Sequence, residues 1–497
     1  MKKKVFFISQ NTDVSGSQLN LKNIISFLKD DYDIFLWSPT DGELAKYYRE
    51  NNIPLYVKDF FVDSTNRFKE EIEFSQETEK QIKRFIKKYR SSNKKIAIRC
   101  AGRITEKLLE EYDFSEVNLI GLFDGNPALF GKEIGGVPVY SKDEIDKFDI
   151  DILVIAHKQP KHLREEFKGK KIKIIDDLFI GSRTSRVLRL LRFYTDLIEP
   201  IKLIAKINPD IVFINNLRCF WVVIAGKLLG KKVIWAIHEC FSPRTFQAFP
   251  QNVFLSSFRF VDRFIFPSRI TAEMFKEFVP ENKVNIIGNG LNISDIEKYK
   301  QNISIVDVKN ELGIPLDHKI ICNVGITDSV KGQIHLVKAG INLLKKSPDK
   351  NFSFILVGAK ENLYLANIRS MINEAGFMNH FHLIPVTRDP FKYLSISDIY
   401  VCSSMQESFG IALIEAMAFN IPIIATDTYA IPELISHNET GMLIPLKNME
   451  IHIENEINNL VNNPEKMKIL AENAHRKLLS QYTIEIEVAK YKKVIEG

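Results

Sequence analysis

The chain has 497 residues, of which 45% are hydrophobic and 26% charged, the composition of ordinary globular domains and, by length, of two to four of them. A formal charge of +6 is small for that length; it permits, without demanding, an anionic partner such as a phosphate ligand or a membrane surface, and no nucleic-acid partner is expected. The five cysteines form no C-x-x-C pair, which argues against a disulfide framework or a Cys-rich zinc site and fits a reducing compartment.

The opening "MKKKVFFISQNTD" has a basic tip but too few apolar residues for a signal-peptide core, and no run of 18 apolar residues follows anywhere; a cytoplasmic protein is expected. "KKVFFIS" predicts a first strand, "DVSGSQLNLKNIISFLKD" a loop with Gly16 leading into a helix, and "YDIFLWS" a second strand. The polar patch "EFSQETEKQ" reads as a solvated helix face. Residues 93–178 form a small series of their own: "KKIAIRCAG" strand and turn, "RITEKLLEEY" helix, "VNLIGLFDGNP" strand and turn, "DIDILVIAH" strand. Within it "SKDE" has capping-box spacing at 141–144, so a helix is expected to start there. Next, Arg183, Arg186, Arg189 and Arg192 stand three apart among leucines. Residues 183–206 are therefore either a basic amphipathic helix for an anionic membrane surface or a connecting helix with a solvated face.

"PDIVFINN", "KKVIWAIHE", "RFIFPS" and "NKVNIIGNG" resume the strand series. His238-Glu239 opens like a zincin motif, but Ser242 occupies the second histidine position and the motif fails. After about residue 300 come "HKIICNVG", "FSFILVGA", "HFHLIPV", "DIYVCSS" and "IPIIATD", with helical segments between them. Short apolar runs alternating with amphipathic stretches predict an α/β fold with two doubly wound domains facing a crevice.

In "SSMQESFGIALIEAMAFN", Glu407 follows a strand and Glu415 lies inside the helix that begins near Phe409. Ligands of such sheets bind at the C-terminal strand ends, and helix-start N–H groups there can hold a diphosphate. Gly410 would let a ligand approach the backbone, and the carboxylates can accept from sugar hydroxyls. Taken alone, the pair is equally compatible with capping or salt bridging.

The order Glu407, Glu415, Pro422, Pro432-Glu433, Thr440-Gly441 resembles the donor-binding region of the family 4 retaining glycosyltransferases, which have the GT-B fold. The resemblance covers 1–90 and 199 to the C-terminus. It implies two Rossmann-like domains: 1–92 with 179–297 on the acceptor side, interrupted by an inserted Rossmann-like domain at 93–178, and 298–480 binding a nucleotide sugar. Residues 481–497 would form a tail helix crossing back to the first domain. It further implies a hexosyl transfer from a UDP- or GDP-sugar to a glycan or lipid-linked acceptor in bacterial surface-polysaccharide assembly.

By the same resemblance Glu407 holds donor-sugar hydroxyls, Glu415 the ribose, and the amides of Phe409, Gly410 and Ile411 the sugar and diphosphate. Lys331 in "VGITDSVKGQ" faces the diphosphate, Gly16 lies in the phosphate-facing loop, and His238 stands at the sugar end, so that Lys331, Glu407 and His238 form the catalytic set. With Lys331 and amides in that role no metal or other cofactor is needed, and Asp149-Ile150-Asp151, although it spells Asp-x-Asp, reads as a strand-edge turn. Ile326 stands where the family has an Arg, leaving Arg388 or Arg244 as candidates for the second positive charge. Tyr429-Ala430 replaces a glycine pair, which would narrow the pocket. The insert resembles small Rossmann-like modules of sugar-modifying proteins; Asp124 falls near a ribose-ligand position, but Cys100-Ala101-Gly102 offers one glycine of three. Two rival readings stay open: a GT-B nucleotide-sugar epimerase, and a non-catalytic sugar-nucleotide-binding scaffold.

Overall fold

The computed structural model describes residues 2–9, 12, 16–58, 76–125, 129–156, 167, 171–175, 183–246, 250–346 and 351–497; the side chains of 76, 77, 103, 183–192, 195 and 196 are outside the description. The chain divides into two units, Met1–Phe60 with Leu197–Gly497, and Phe61–Asp196. In chain order the strands among the described residues are β1 (Lys4–Ile8), β2 (Asp33–Ser38), β3 (Leu55–Val57), β4 (Ile96–Arg99), β5 (Leu119–Asp124), β6 (Glu133–Ile134), β7 (Val137–Ser141), β8 (Ile152–Ile155), β9 (Lys173–Ile175), β10 (Ile211–Asn215), β11 (Lys232–Ala236), β12 (Arg263–Phe266), β13 (Val284–Ile286), β14 (Lys319–Val324), β15 (Phe352–Ala359), β16 (Phe381–Pro385), β17 (Ile399–Cys402), β18 (Ile423–Thr426) and β19 (Met442–Ile444).

The larger unit contains two parallel sheets, ordered β13-β12-β11-β10-β1-β2-β3 and β16-β15-β14-β17-β18-β19. Their central strands are buried on both faces, which is why KVFFI, IVFIN and FSFILVGA are apolar without alternation. In each sheet the chain reverses its direction of winding beside the first strand. The switch points therefore fall between β1 and β10 and between β14 and β17, where open α/β sheets bind ligands. The helix Ile484–Glu496 closes the first sheet, burying Ile484, Val488, Tyr491 and Ile495 in its core. Each such side chain contributes about 1.5–3 kcal/mol. The tail reaches that place by crossing the inter-domain chain at Leu291, which donates to Tyr482 O and accepts from Ile484 N, both at 2.9 Å. Gly290 permits the crossing, since a Cβ there would lie 2.4 Å from Thr483 O.

The smaller unit is a sheet ordered β6-β7-β5-β4-β8-β9, parallel except for the β6–β7 hairpin. Its core draws Ile82, Phe85 and Tyr89 of the helix Gln76–Tyr89 against Ile96, Ile98, Leu122 and Val154. That burial corrects the expected boundary at 93: the helix supplies one wall of this core. Ser141 and Glu144 form the expected capping box, on a short 3-10 helix, Lys142–Lys147. Asp151 and Asp149 pair with Lys94 (2.6 Å) and Lys95 (3.1 Å) at the strand edge. Asp124 accepts the Ala101 N–H at 2.8 Å, so one of its oxygens holds the turn after β4. Among the described residues no group of three or more His, Cys, Asp or Glu is placed to hold a metal ion. The arginines at 183, 186, 189 and 192 begin the helix Arg183–Ile207, but their side chains lie outside the described residues.

Candidate active site

Two loops leave the strands that flank the switch point of the second sheet. The loop after β14 brings Lys331; the loop after β17 brings Glu407 and runs into the helix Ile411–Ala418, which carries Glu415. The loops are stitched together: Met405 N–H donates to Val330 O (2.7 Å) and Ser403 Oγ to Lys331 O (3.0 Å). Gly332, at φ +64°, turns the chain so tightly over Ser403 that a Cβ would sit 2.1 Å from its carbonyl oxygen. Gly410, at φ +108°, turns the second loop into its helix, so that the first helical amides open toward the crevice.

Lys331 Nζ lies 2.5 Å from Glu407 Oε1, and the buried Ser404 hydroxyl donates to the same oxygen at 2.8 Å. Burial alone would lower the Lys331 pKa, but the Glu407 charge and hydrogen bond outweigh it and hold the ammonium above its ordinary value. Glu415 is different. No hydrogen bond or ion pair holds its carboxylate among the described residues, and burial pushes its pKa up to about 7.

From the first sheet come Gly16, at the start of the helix Gly16–Leu28 after β1, and His238, after β11. A Cβ on Gly16 would approach Cδ1 of Ile411 to 3.2 Å, so the two helix starts face one another across the crevice. His238 Nε2 is 2.8 Å from Asn215 Oδ1, and burial lowers its pKa to about 4, keeping the imidazole neutral at pH 7. Between these groups is a cavity of about 410 Å³, the scale of a small-ligand site. Gly16, His238, Lys331, Glu407, Phe409, Gly410, Ile411 and Glu415 all line it. The Phe409 ring packs against Tyr482.

Arg388 is not brought in. Its neighbours Val386 and Thr387 line the cavity, but its guanidinium is exposed and paired with Glu43. Arg244 pairs with Glu277, so neither arginine replaces the missing charge. Among the described residues Lys331 is the one Lys or Arg lining the cavity, and the half-exposed Ile326 lines it as well. Tyr429 does not line the cavity and so does not narrow it. It keeps the φ of +47° that a glycine would adopt without strain.

Ser404 and Asn323 are lining residues that sequence reasoning missed. Ser404, three residues before Glu407, had the spacing of a local hydroxyl–carboxylate contact; Asn323, inside a buried strand, offered no comparable sign. Glu433 of the Pro-Glu pair accepts the amides of Arg269 and Ile270, both at 2.9 Å, across the crevice. Ser408 O accepts from Ser268 Oγ (2.7 Å) and Thr271 Oγ1 (3.2 Å). The loop carrying Glu407 is thus clamped from the opposite domain.

Comparison with known proteins places this geometry. The model for glycosyl transferases group 1 matches residues 305–477, and that for glycosyltransferase family 4 matches 139–295. An uncharacterized glycosyltransferase of Haemophilus influenzae is 31% identical over 207 residues, 40% of this chain and 57% of the relative. A D-inositol 3-phosphate glycosyltransferase of Corynebacterium glutamicum is 29% identical over 170 residues, 33% of this chain and 40% of that protein. The chain thus matches roughly half the length of these relatives. A crystal structure of Anabaena HepE in complex with UDP aligns over 100% of both chains with a TM-score of 0.63 at 14% identity, a likeness of fold. Residues 305–477 and 139–295 are thus similar to the glycosyltransferases of these two models, and the chain has the GT-B fold.

Proposed function

We propose that the protein is a retaining glycosyltransferase that moves a hexosyl group from a UDP- or GDP-sugar to a glycan or lipid-linked acceptor of bacterial surface polysaccharide. The observation that carries this reading is the convergence of Lys331, two opposed helix starts and two carboxylates on one cavity. In the crevice, the diphosphate lies over the Gly410 and Ile411 amides with Lys331 Nζ against the oxygens that gain charge as the glycosidic bond breaks. Such preorganised donors are a large part of catalysis by enzymes that stabilise a leaving anion. Glu415, with no partner for its carboxylate among the described residues, accepts from the ribose hydroxyls, and Glu407 from the sugar. Neutral His238 stands at the sugar end, fixed by Asn215. Anabaena HepE is known in complex with UDP-glucose, which supports a nucleotide-sugar donor for this fold. No helix among the described residues is long and apolar enough to cross a membrane, and a cytoplasmic site of action, with 183–206 touching the membrane surface, completes the proposal.

The test is release of free UDP or GDP from a panel of sugar nucleotides in the presence of lipid-linked and glycan acceptors. Lys331→Ala is expected to lower that release by roughly 10²–10³. Sugar-nucleotide interconversion without nucleotide release would select the epimerase instead, and binding without either reaction the scaffold.

A further inference from the structure

Lys331 does two incompatible things in this site. It is the one Lys or Arg on the cavity wall among the described residues, and its ammonium is already committed to Glu407 at 2.5 Å. The Glu407 side chain is only 14% exposed, so solvent screens its carboxylate poorly if the ammonium turns to another anion. Among the described residues, what remains to the Glu407 carboxylate is one hydrogen bond, from Ser404. A diphosphate entering alone therefore shares a single cation with a buried carboxylate, and no second positive charge stands at Ile326 to separate them. A diphosphate that carries a sugar brings hydroxyls, and these can donate to Glu407 as Lys331 leaves it.

We propose that Glu407 makes the site discriminate between a sugar-bearing donor and the bare nucleoside diphosphate, by holding Lys331 until sugar hydroxyls take its place. The inference rests on the donor reading above. Its consequence is weak retention of the product nucleotide once the sugar has gone.

The test is calorimetric titration of the full chain with UDP, UDP-glucose, GDP and GDP-mannose, for the wild type, Glu407→Gln and Glu407→Ala, with melting curves to establish folding. Removing the carboxylate charge should strengthen binding of the bare nucleotide that the protein prefers by about tenfold or more, since like charges side by side are costly. Affinity for the corresponding sugar nucleotide should gain less, because the variants also lose its sugar contact, so the preference for the sugar-bearing form shrinks. Unchanged or weaker binding of the bare nucleotide in both folded variants, with normal wild-type binding, overturns the discrimination and leaves the donor reading intact. A wild type that binds none of the four ligands overturns the donor reading and the discrimination with it.

Discussion

Replacing Gly332 by alanine places a methyl group where the structure has no room. The new Cβ would stand 2.1 Å from Ser403 O, and real Cβ contacts do not fall below 3.0 Å, so something must move by at least 3.0 − 2.1 = 0.9 Å. The obstacle is backbone at the end of the central strand β17, which cannot swing aside as a side chain could. The residue also sits at φ +64°, a conformation that costs an L-residue about 1–2 kcal/mol. The movement therefore falls on the loop before Gly332, and with it on Lys331, whose carbonyl is tied to Ser403 Oγ. A displacement of about 1 Å in a positioned group costs on the order of 10² in rate. Strain of about 2–3 kcal/mol should also lower the melting temperature by several degrees. Nucleotide release measured beside a thermal melt reads both effects. Turnover within threefold of wild type, with an unchanged melt, would refute the claim that this turn sets the place of Lys331.

Transfer should survive EDTA, because Lys331 and the helix-start amides face the diphosphate; loss of activity restored by Mg²⁺ or Mn²⁺ would contradict that assignment. With a folded pKa of about 4 against an ordinary 6.5, neutral His238 contributes stability that is complete above pH 6.5 and is lost as pH falls toward 4, up to about 3 kcal/mol. Urea unfolding across that window should show the decline, and His238→Gln should flatten it; equal slopes would assign the acid sensitivity to other groups. None of the described residues within 61–196 lines the cavity, so replacing 76–175 by a Gly/Ser linker should leave soluble protein with unchanged donor affinity. A soluble deletion that bound no donor would show that the inserted unit takes part in the site.

Much of this was legible because parallel sheets buried on both faces write themselves as uninterrupted apolar runs, and because Glu407, Glu415 and Lys331 follow such runs directly. The elements that sequence misjudged depend on contacts between distant segments. Arg388 is claimed by Glu43, more than three hundred positions away, and nothing local to either residue announces the pair. The helix Gln76–Tyr89 looked solvated from its polar start, whereas its apolar face, Ile82, Phe85 and Tyr89, fills the core of the inserted unit. Tyr429 looked like an obstruction because its size was considered without its direction. The Pro-Glu pair was legible as a motif, but the role of Glu433 as a carboxylate for amides of the other domain emerged only in three dimensions.

The most direct test of the central claim is equilibrium binding of UDP-, GDP- and ADP-sugars to the wild type and to Glu415→Gln. Glu415 is a half-buried carboxylate with no protein partner among the described residues, its pKa pushed up to about 7, and it lines the proposed nucleotide end of the cavity. Saturable single-site binding of a UDP- or GDP-sugar is expected, weakened about tenfold or more in the variant through loss of a charge-assisted pair of hydrogen bonds. Binding of equal strength in both proteins, or no binding of any sugar nucleotide by the wild type, would contradict it.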